Sequence, residues 1–446
     1  MSSPVETIVA VSTPPGRGGV GIVRLSGTDA RRIAETVCGC RLQPRRARYR
    51  HFSDADGEVL DDGVALWFPA PASYSGEDVV ELQGHGNPVL LDALVARCCA
   101  LGARLARPGE FTERAFLNDR LDLAQAESVA DLINASTATA ARAAARAVQG
   151  ELSTAVDNLA TALTELRVHV ESALDFPDED IDFLAEEPVR RHMSAVVDQA
   201  TQLLARAEAG ARLHEGALVV LAGQPNVGKS SLLNTLASRD VAIVTDVPGT
   251  TRDVLRVALD IDGLAVELVD TAGLRDATDA VEREGVRRTR EQLAQADAVL
   301  LVFDASVGVT DAERELAEDC GDMPLAWIGN KSDLLAVNSE ATSATVAVSA
   351  LHGTGLADVR TTIARLLGHD GAMKDGVVSA RRRHVDALEN ATRLLQLAQT
   401  QLFAGMGGEL VADDLRNAHA SLESITGRFT ADDLLGKIFS AFCIGK

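Results

Sequence analysis

Gly223-Gln224-Pro225-Asn226-Val227-Gly228-Lys229-Ser230 reads G-x-x-x-x-G-K-S. The residues before it, Ala217 to Ala222, are apolar and predict a buried strand; those after it, from Ser231 to Ala237, predict the first turns of a helix. A strand, this pattern and a helix, in that order, make a phosphate-binding loop. Glycines let backbone N–H groups close around phosphate oxygens, and the helix N-terminus adds a positive field. Lys229 is then placed to reach the β- and γ-phosphates, and Ser230 to ligate Mg2+. Asn226, Val227, Gly228 and Ser231 complete the cradle.

Downstream stretches make the base a guanine. An apolar strand from Leu264 to Val269 runs into Asp270-Thr271-Ala272-Gly273, where Asp270 can hold a Mg2+-bound water and the Gly273 N–H can meet the γ-phosphate. A second strand, Leu325 to Gly329, runs into Asn330-Lys331-Ser332-Asp333. The Asp333 carboxylate can accept from both guanine N1–H and the N2 amine, a donor pair that adenine lacks, and a buried polar group left unpaired is costly. A third strand, Val346 to Val348, ends in Ser349-Ala350-Leu351, a loop suited to closing over the base.

At 446 residues the chain is long enough for two to four domains. Its net charge of −22 excludes a broad nucleic-acid surface, because phosphate binding needs clustered Lys and Arg, so any RNA contact must use a local patch or a partner. Two basic clusters exist, Arg41 to His51 and Arg381-Arg382-Arg383-His384, and each reads most simply as a solvated face or a helix end. The six cysteines (Cys38, Cys40, Cys98, Cys99, Cys320, Cys443) show no C-x-x-C spacing, which argues against zinc and for a reduced, cytoplasmic setting. No signal peptide or bilayer-length apolar stretch is read.

Residues 1–118 alternate strands and helices: strands at Val20 to Leu25, Val64 to Phe68 and Val79 to Leu82, helices at Ala30 to Val37 and Val89 to Ala100. Residues 119–213 are helical, with an alanine-rich run from Leu121 to Val148, a joint at Gly150, a helix from Leu152 to Leu174 and another from Val189 to Leu213. Phe176-Pro177-Asp178-Glu179-Asp180 separates the last two. Residues 216–370 are the nucleotide domain, whose alternating strands and helices predict a mainly parallel sheet. Helices return over 379–446, at Arg381 to Leu402, Leu410 to Ile425 and Thr430 to Phe442. Helices on both sides predict that the nucleotide domain is inserted into one helical domain.

Many regulatory GTPases align the attacking water with a glutamine directly after D-x-x-G. Here that residue is Leu274, which cannot hydrogen-bond water, and four acids follow as candidates: Asp276, Asp279, Glu282 and Glu284. The Asn226 side-chain oxygen, inside the phosphate loop, is suited to holding a monovalent cation against the phosphates. The segment Thr245-Asp246-Val247-Pro248-Gly249-Thr250-Thr251-Arg252-Asp253 is the natural first switch and supplies hydroxyl and carbonyl oxygens to the same ion. A cation there would neutralise transition-state charge as an arginine finger does.

The chain resembles the bacterial tRNA-modification GTPases of the MnmE (TrmE) type over essentially its whole length. The most specific stretches are TPPGRGGVGIVRLSG (13–27), GEDVVELQGHG (76–86), RPGEFTERAFLNDRLDLAQAE (107–127), DFPDEDIDF (175–183), VTDVPGTTRD (244–253), DTAGLR (270–275) and the terminal CIGK (443–446). The resemblance implies an N-terminal α/β domain that dimerises and binds a tetrahydrofolate (the 5-formyl or methylene form), a helical domain, and an inserted Ras-like G domain. It implies a homodimer that works with an FAD-dependent partner, MnmG, in a heterotetramer, the FAD belonging to the partner. Together they would add an aminomethyl or carboxymethylaminomethyl group at C5 of the wobble uridine of certain tRNAs. It places K+ on Asn226, Thr245, Val247 and Thr250, Mg2+ on Ser230 and Thr251, the catalytic glutamate on Glu282, and folate on Arg24, Glu81, Arg120 and Lys446. Arg120 stands where some members have Lys, which keeps the charge but changes hydrogen-bond geometry. Cys443 matches as well, either as a thiol nucleophile or as a packed residue of the last helix. Two rivals are a ribosome-assembly GTPase of the same cation-dependent class, which would carry an RNA-binding module or second G domain not found here, and a folate-binding scaffold with a GTPase timer.

Overall fold

The computed structural model describes residues 6–175, 187–239, 256–270, 295–335, 345–368, 377–405, 408–427, 438–440 and 442–445. Its contacts divide into two compact units: residues 1–130, 147–196 and 393–446, and residues 131–146 and 197–392.

The first unit holds a six-stranded sheet built from β1 (Ile8–Val11), β2 (Gly18–Ser26), β3 (Arg48–Ser53), β4 (Val59–Phe68), β5 (Val79–Gly86) and β6 (Arg104–Leu105). The order is β3-β4-β5-β2-β1-β6, antiparallel except for the β1–β6 pair. Helices α1 (Ala30–Cys38) and α2 (Pro88–Ala100) cover one face, burying Val23, Leu25, Ile33, Phe52, Trp67, Leu82 and Leu94. Pro88 opens α2 with its missing N–H at a position that needs none, and the Asn87 side chain accepts from the Val89 N–H. Because strand side chains alternate, Ile22, Arg24, Leu66, Glu81 and Gln83 face the other way.

Four elements of this unit were hidden in the sequence: β1, β3, β6 and α3 (Glu110–Leu117). In β3 only Phe52 is buried, and Arg48, Arg50 and His51 fill half of an edge strand and mask its alternation. The alanine-rich run predicted as one stretch is two helices, α4 (Leu123–Asn134) and α5 (Ala138–Val148). Thr137 ends the continuity: its Oγ1 accepts from the Ala140 N–H at 3.1 Å and donates to the Gly263 carbonyl at 2.8 Å. Gly150, with φ of 90°, joins α5 to α6 (Glu151–Asp175) as predicted. The predicted stripe Leu159, Leu163, Leu166 and Val170 is buried. The predicted helix Val189 to Leu213 is α7 (Glu187–Glu215).

The second unit holds a six-stranded sheet ordered β12-β11-β10-β7-β9-β8. Its strands are β7 (Ala217–Ala222), β8 (Arg256–Ile261), β9 (Leu264–Asp270), β10 (Ala298–Asp304), β11 (Leu325–Asn330) and β12 (Thr345–Ala347). All neighbours are parallel except the β8–β9 hairpin. Helices α8 (Lys229–Arg239), α9 (Asp311–Asp319) and α10 (Leu356–Leu366) pack with it, and apolar clusters line both faces. After β7 the chain forms the β8–β9 hairpin on one side, with β9 next to β7, and then β10 on the other side, so the crevice at the carboxyl ends of β7, β9 and β10 is the ligand position of an open α/β sheet.

Helices α11 (Arg382–Phe403) and α12 (Gly408–Thr426) follow, separated by the expected glycine-rich break. The basic cluster at residues 381–384 does lie at a helix start; Arg382 is solvated, but Arg381 and His384 are not. Arg381 Nη2 donates to Asp131 Oδ1 at 2.5 Å, and both Asp131 and His384 are buried. Of the predicted last helix, Ile438–Ser440 is described and is helical; residues 428–437 lie outside the described residues. Among the described residues no helix is long and apolar enough to cross a membrane.

Candidate functional site

The phosphate loop leaves the end of β7 and enters α8, as its sequence requires. Gly223 has φ of +145°, and a Cβ there would lie 2.1 Å from the Val302 carbonyl oxygen; Gly228 has φ of +94°, and its Cβ would lie 2.3 Å from Asn330 Nδ2. Both glycines are therefore fixed by close approach as well as by backbone conformation. Asn226, between them, also holds a left-handed conformation, with φ of 63°. Its side chain is exposed and forms no hydrogen bond among the described residues, leaving the amide oxygen available to a ligand.

Lys229 folds back over the loop, its Nζ donating to the carbonyls of Gly223 (2.9 Å) and Gln224 (2.8 Å). It is 4% exposed, so its Nζ lies under the loop with those carbonyls among its partners. Ser230 Oγ donates to Asp270 Oδ2 at 2.5 Å, and Asp270 is fully buried at the end of β9. One hydroxyl and one carboxylate at the loop are the hard-oxygen donors a Mg2+ ion takes, so the residues present fit that ion.

The base side is tied to the phosphate side. Asn330 is 2% exposed; its Nδ2 donates to the Val227 carbonyl at 2.9 Å and its Oδ1 accepts from the Ala350 N–H at 3.0 Å. One amide thus staples the phosphate loop to the Ser349-Ala350-Leu351 loop. Thr235 adds a second link, donating to the Ala350 carbonyl at 2.9 Å. Asp333 is exposed in a short 3-10 turn, and Ser349 Oγ donates to its Oδ1. That hydrogen bond holds the Asp333 carboxyl below its usual range and keeps it an acceptor. Lys331, at φ of 62°, pairs with Asp304 at 2.7 Å. Burial raises the Asp304 carboxyl, but hydrogen bonds from Lys331 and Ser306 outweigh it and lower it overall. Asp304 was missed from sequence; an acid ending an otherwise apolar strand, β10, was the available signal. Thr245, Asp246, Val247, Pro248, Gly249, Thr250, Thr251, Thr271, Ala272, Gly273 and Glu282 lie outside the described residues.

In the first unit Arg24 and Glu81 are cross-strand partners on β2 and β5, with Arg24 Nη2 2.9 Å from Glu81 Oε1. Gln83 donates to the second Glu81 oxygen at 3.1 Å, and the guanidinium lies 5.4 Å from the Tyr74 ring centre and 5.8 Å from that of Phe111. Arg120 lines an open cleft of about 550 Å³ with Phe116, Asp157 and Gly427, a lining that includes neither Arg24 nor Glu81. The terminal segment returns to this unit. The Gly109 N–H donates to the Cys443 carbonyl at 3.3 Å, and Ser12 Oγ donates to the Gly445 carbonyl at 3.0 Å. Cys443 is exposed, and Lys446 lies outside the described residues. Cys38 and Cys98 are buried thiols pushed up to about 12 by their apolar surroundings.

A family model described as the MnmE helical domain matches residues 123–443, and one described as the GTP-binding protein TrmE N-terminus matches residues 7–120. The chain belongs to the MnmE (TrmE) family. MnmE proteins are tRNA-modifying GTPases, and the fold is the family's: an N-terminal α/β domain, a helical domain and a Ras-like G domain with a mainly parallel sheet. Among solved structures, Aquifex aeolicus Era bound to GDP and aluminium fluoride is 23% identical over 41% of this chain and 67% of that one, with a TM-score of 0.28. Era with MgGDPNP and a stretch of 16S ribosomal RNA is 24% identical over 40% and 66%, with a TM-score of 0.29. The G domain of the T. maritima FeoB iron transporter is 25% identical over 34% and 98%, with a TM-score of 0.27.

Proposed function

We propose that this chain is a K+-activated GTPase which, as a cytoplasmic homodimer joined to an MnmG-type FAD-dependent partner, modifies C5 of the tRNA wobble uridine with a tetrahydrofolate one-carbon donor. The observation that carries this reading is a guanine-nucleotide site within a chain whose matches to the MnmE family run on both sides of it. The division that goes with it is 1–118 for the folate and dimerisation domain, 119–213 and 379–446 for the helical domain, and 216–370 for the G domain.

In this reading the loop N–H groups and Lys229 bind the phosphates. Lys229 exchanges its bonds to the Gly223 and Gln224 carbonyls for phosphate oxygens, so its charge is already at the site before nucleotide arrives. Ser230 and Asp270, with Thr251, would hold Mg2+. Asn226, Thr245, Val247 and Thr250 would hold K+, which supplies positive charge where phosphoryl transfer develops negative charge. Asp333 and Asn330 select guanine, and Glu282 acts on the attacking water. Arg24, Glu81, Arg120 and Lys446 bind the folate; the Glu81 carboxylate suits the N–H edge of a pterin, and the cations suit a carboxylate tail.

Nucleoside analysis of tRNA from a strain lacking the chain tests the whole. The C5-modified wobble uridine should disappear and return with the wild-type chain but not with Lys229→Ala. Normal modification in the deletion strain would end the proposal.

A further inference from the structure

The first unit pairs many of its arginines with acids, and its densest group of unpaired ones lies in one short stretch. Arg24, Arg31, Arg32, Arg104, Arg107 and Arg114 all contact a carboxylate between 2.6 and 3.0 Å. Arg41, Arg45, Arg46, Arg48 and Arg50, crowded into ten residues, make no ion pair among the described residues. Arg41 lies near enough to Glu35 for its charge to help lower that carboxyl, without a direct ion pair; the polar contacts of the others are to uncharged groups: Arg45 to the Ala72 carbonyl, Arg46 to Gln43 Oε1, and Arg50 to Cys40 Sγ and the Tyr49 carbonyl.

Arg48 and Arg50 lie on β3, and Arg45 and Arg46 lie in the turn that leads into it. β3 is the edge strand of its sheet, and the chain before it already follows β4, with Pro44 bridged to Trp67 and the Arg45 N–H donating to the Trp67 carbonyl at 2.7 Å. Arg48 and Arg50 share a side of the strand about 7 Å apart at the usual rise per residue. Tyr49, between them, points to the opposite face and is 64% exposed. The acids of this region gather at the far end, where Asp54, Asp56 and Glu58 form the hairpin and Asp62 meets His51.

We propose that this edge, Arg41 to Arg50, is the surface on which the chain holds the phosphate backbone of its RNA substrate. An arginine without a carboxylate presents a planar fork that matches a phosphate, and a row of them follows a polyanion. The remainder of a chain with a net charge of −22 repels RNA, so affinity concentrates where the cations are clustered and unpaired. Charged edges also guard sheets against pairing edge to edge, a role that either sign of charge fills; five arginines and no acid fit a polyanion better. The inference rests on the tRNA reading above and adds a position. In register, Tyr49 faces Val64 and Val64 faces Gln83, so the exposed ring lies on the same sheet face as Arg24 and Glu81. An RNA held on β3 stacks an unpaired base on Tyr49 beside the candidate folate pair.

The test compares the full chain with Arg41→Gln/Arg46→Gln/Arg48→Gln, three side chains that make no direct ion pair among the described residues. Binding of an unmodified tRNA transcript is measured between about 50 and 200 mM KCl. Losing three phosphate contacts should weaken binding about 10- to 100-fold and flatten the salt slope by about two to three. Tyr49→Ala should cost about tenfold, and Tyr49→Phe should restore it. GTP affinity and melting temperature, unchanged, show that the variants are folded. Equal tRNA affinity and slope in wild type and triple variant would overturn the surface. So would a wild type that binds anionic phosphatidylglycerol vesicles but no tRNA, or a triple variant that self-associates in ultracentrifugation while binding tRNA normally. The tRNA reading is judged separately, by wobble-uridine analysis with the wild-type chain.

Discussion

Asn330 Nδ2 lies 2.9 Å from the Val227 carbonyl oxygen, which makes a residue of the proposed base-recognition segment a structural part of the phosphate loop. Removing it orphans the Val227 carbonyl and the Ala350 N–H together in a buried place. Each unpaired group there costs on the order of 1–3 kcal/mol. Asn330→Ala should therefore weaken GTP and GDP alike, by about 10- to 100-fold, because the damage precedes any contact with the γ-phosphate. Calorimetric titration of both nucleotides checks this; a loss confined to GTP would contradict the stapling role.

Asp333 is held as an anion by Ser349 and stands exposed at the mouth of the site. Asp333→Asn replaces an acceptor pair with one acceptor and one donor. Preference should move from GTP towards xanthosine triphosphate, whose edge has the swapped pattern. Competition binding decides it: an Asn variant that still prefers GTP removes Asp333 from base selection.

Hydrolysis should run faster in KCl than in NaCl at matched ionic strength, since a site built on Asn226 and switch carbonyls suits the larger ion. Asn226→Ala should abolish the difference. Glu282→Ala should lower turnover far more than nucleotide affinity, the pattern of an interaction made mainly in the transition state. Normal turnover in that variant would move the role to Asp276, Asp279 or Glu284.

Glu110 supplies a stability prediction in the first unit. Burial raises its carboxyl, but Arg104, the Arg107 N–H and Arg114 hydrogen-bond it and bring it down to about 2. A folded-state value below the unfolded one means stability that is present above the unfolded value of 4.5 and is lost as pH falls towards about 2. A tenfold change in proton affinity corresponds to ~1.4 kcal/mol. Because Arg104 is 39% exposed and screened, the sum is discounted to about 2 kcal/mol. Thermal melts of wild type and Glu110→Gln should converge as pH drops through that window and differ above it; parallel curves would show that Glu110 is not the titrating group.

Motifs whose chemistry depends on spacing were legible in the sequence, as were helices with a clear apolar stripe. Gly223, Gly228 and Lys229 lie between a buried strand and a helix, the arrangement that their pattern predicts, because few backbones satisfy such a loop. Legibility failed where tertiary contacts override local signals. The local signal for the helix break was only the cap-type residues Ser136 and Thr137 within an alanine-rich run, and the other partner of Thr137, Gly263, is far along the chain. β3 carries arginines in place of an alternating apolar pattern, so a strand that buries only Phe52 read as a charge cluster. Arg381 read the same way, although its partner Asp131 is buried and distant in sequence.

The last four residues are placed by small contacts that a truncation would remove at once. Gly445 adopts φ of +96°, and a Cβ on it would meet the Val11 carbonyl oxygen at 2.1 Å, so only glycine lets the tail lie against β1. Val11 pairs with Val23, the neighbour of Arg24, which brings the tail beside the strand pair that carries the candidate folate ligands. If Lys446 completes that pocket, deleting Cys443 to Lys446 should abolish binding of formyl-tetrahydrofolate. Gly445→Ala should weaken it while retaining every charge, and Glu81→Ala should weaken it from the other side. GTP binding is the internal control, because the nucleotide residues belong to a different unit. Calorimetry on all three variants separates the alternatives: folate affinity unchanged by the deletion, with GTP still bound, would show that the tail closes over β1 without taking part in the pocket.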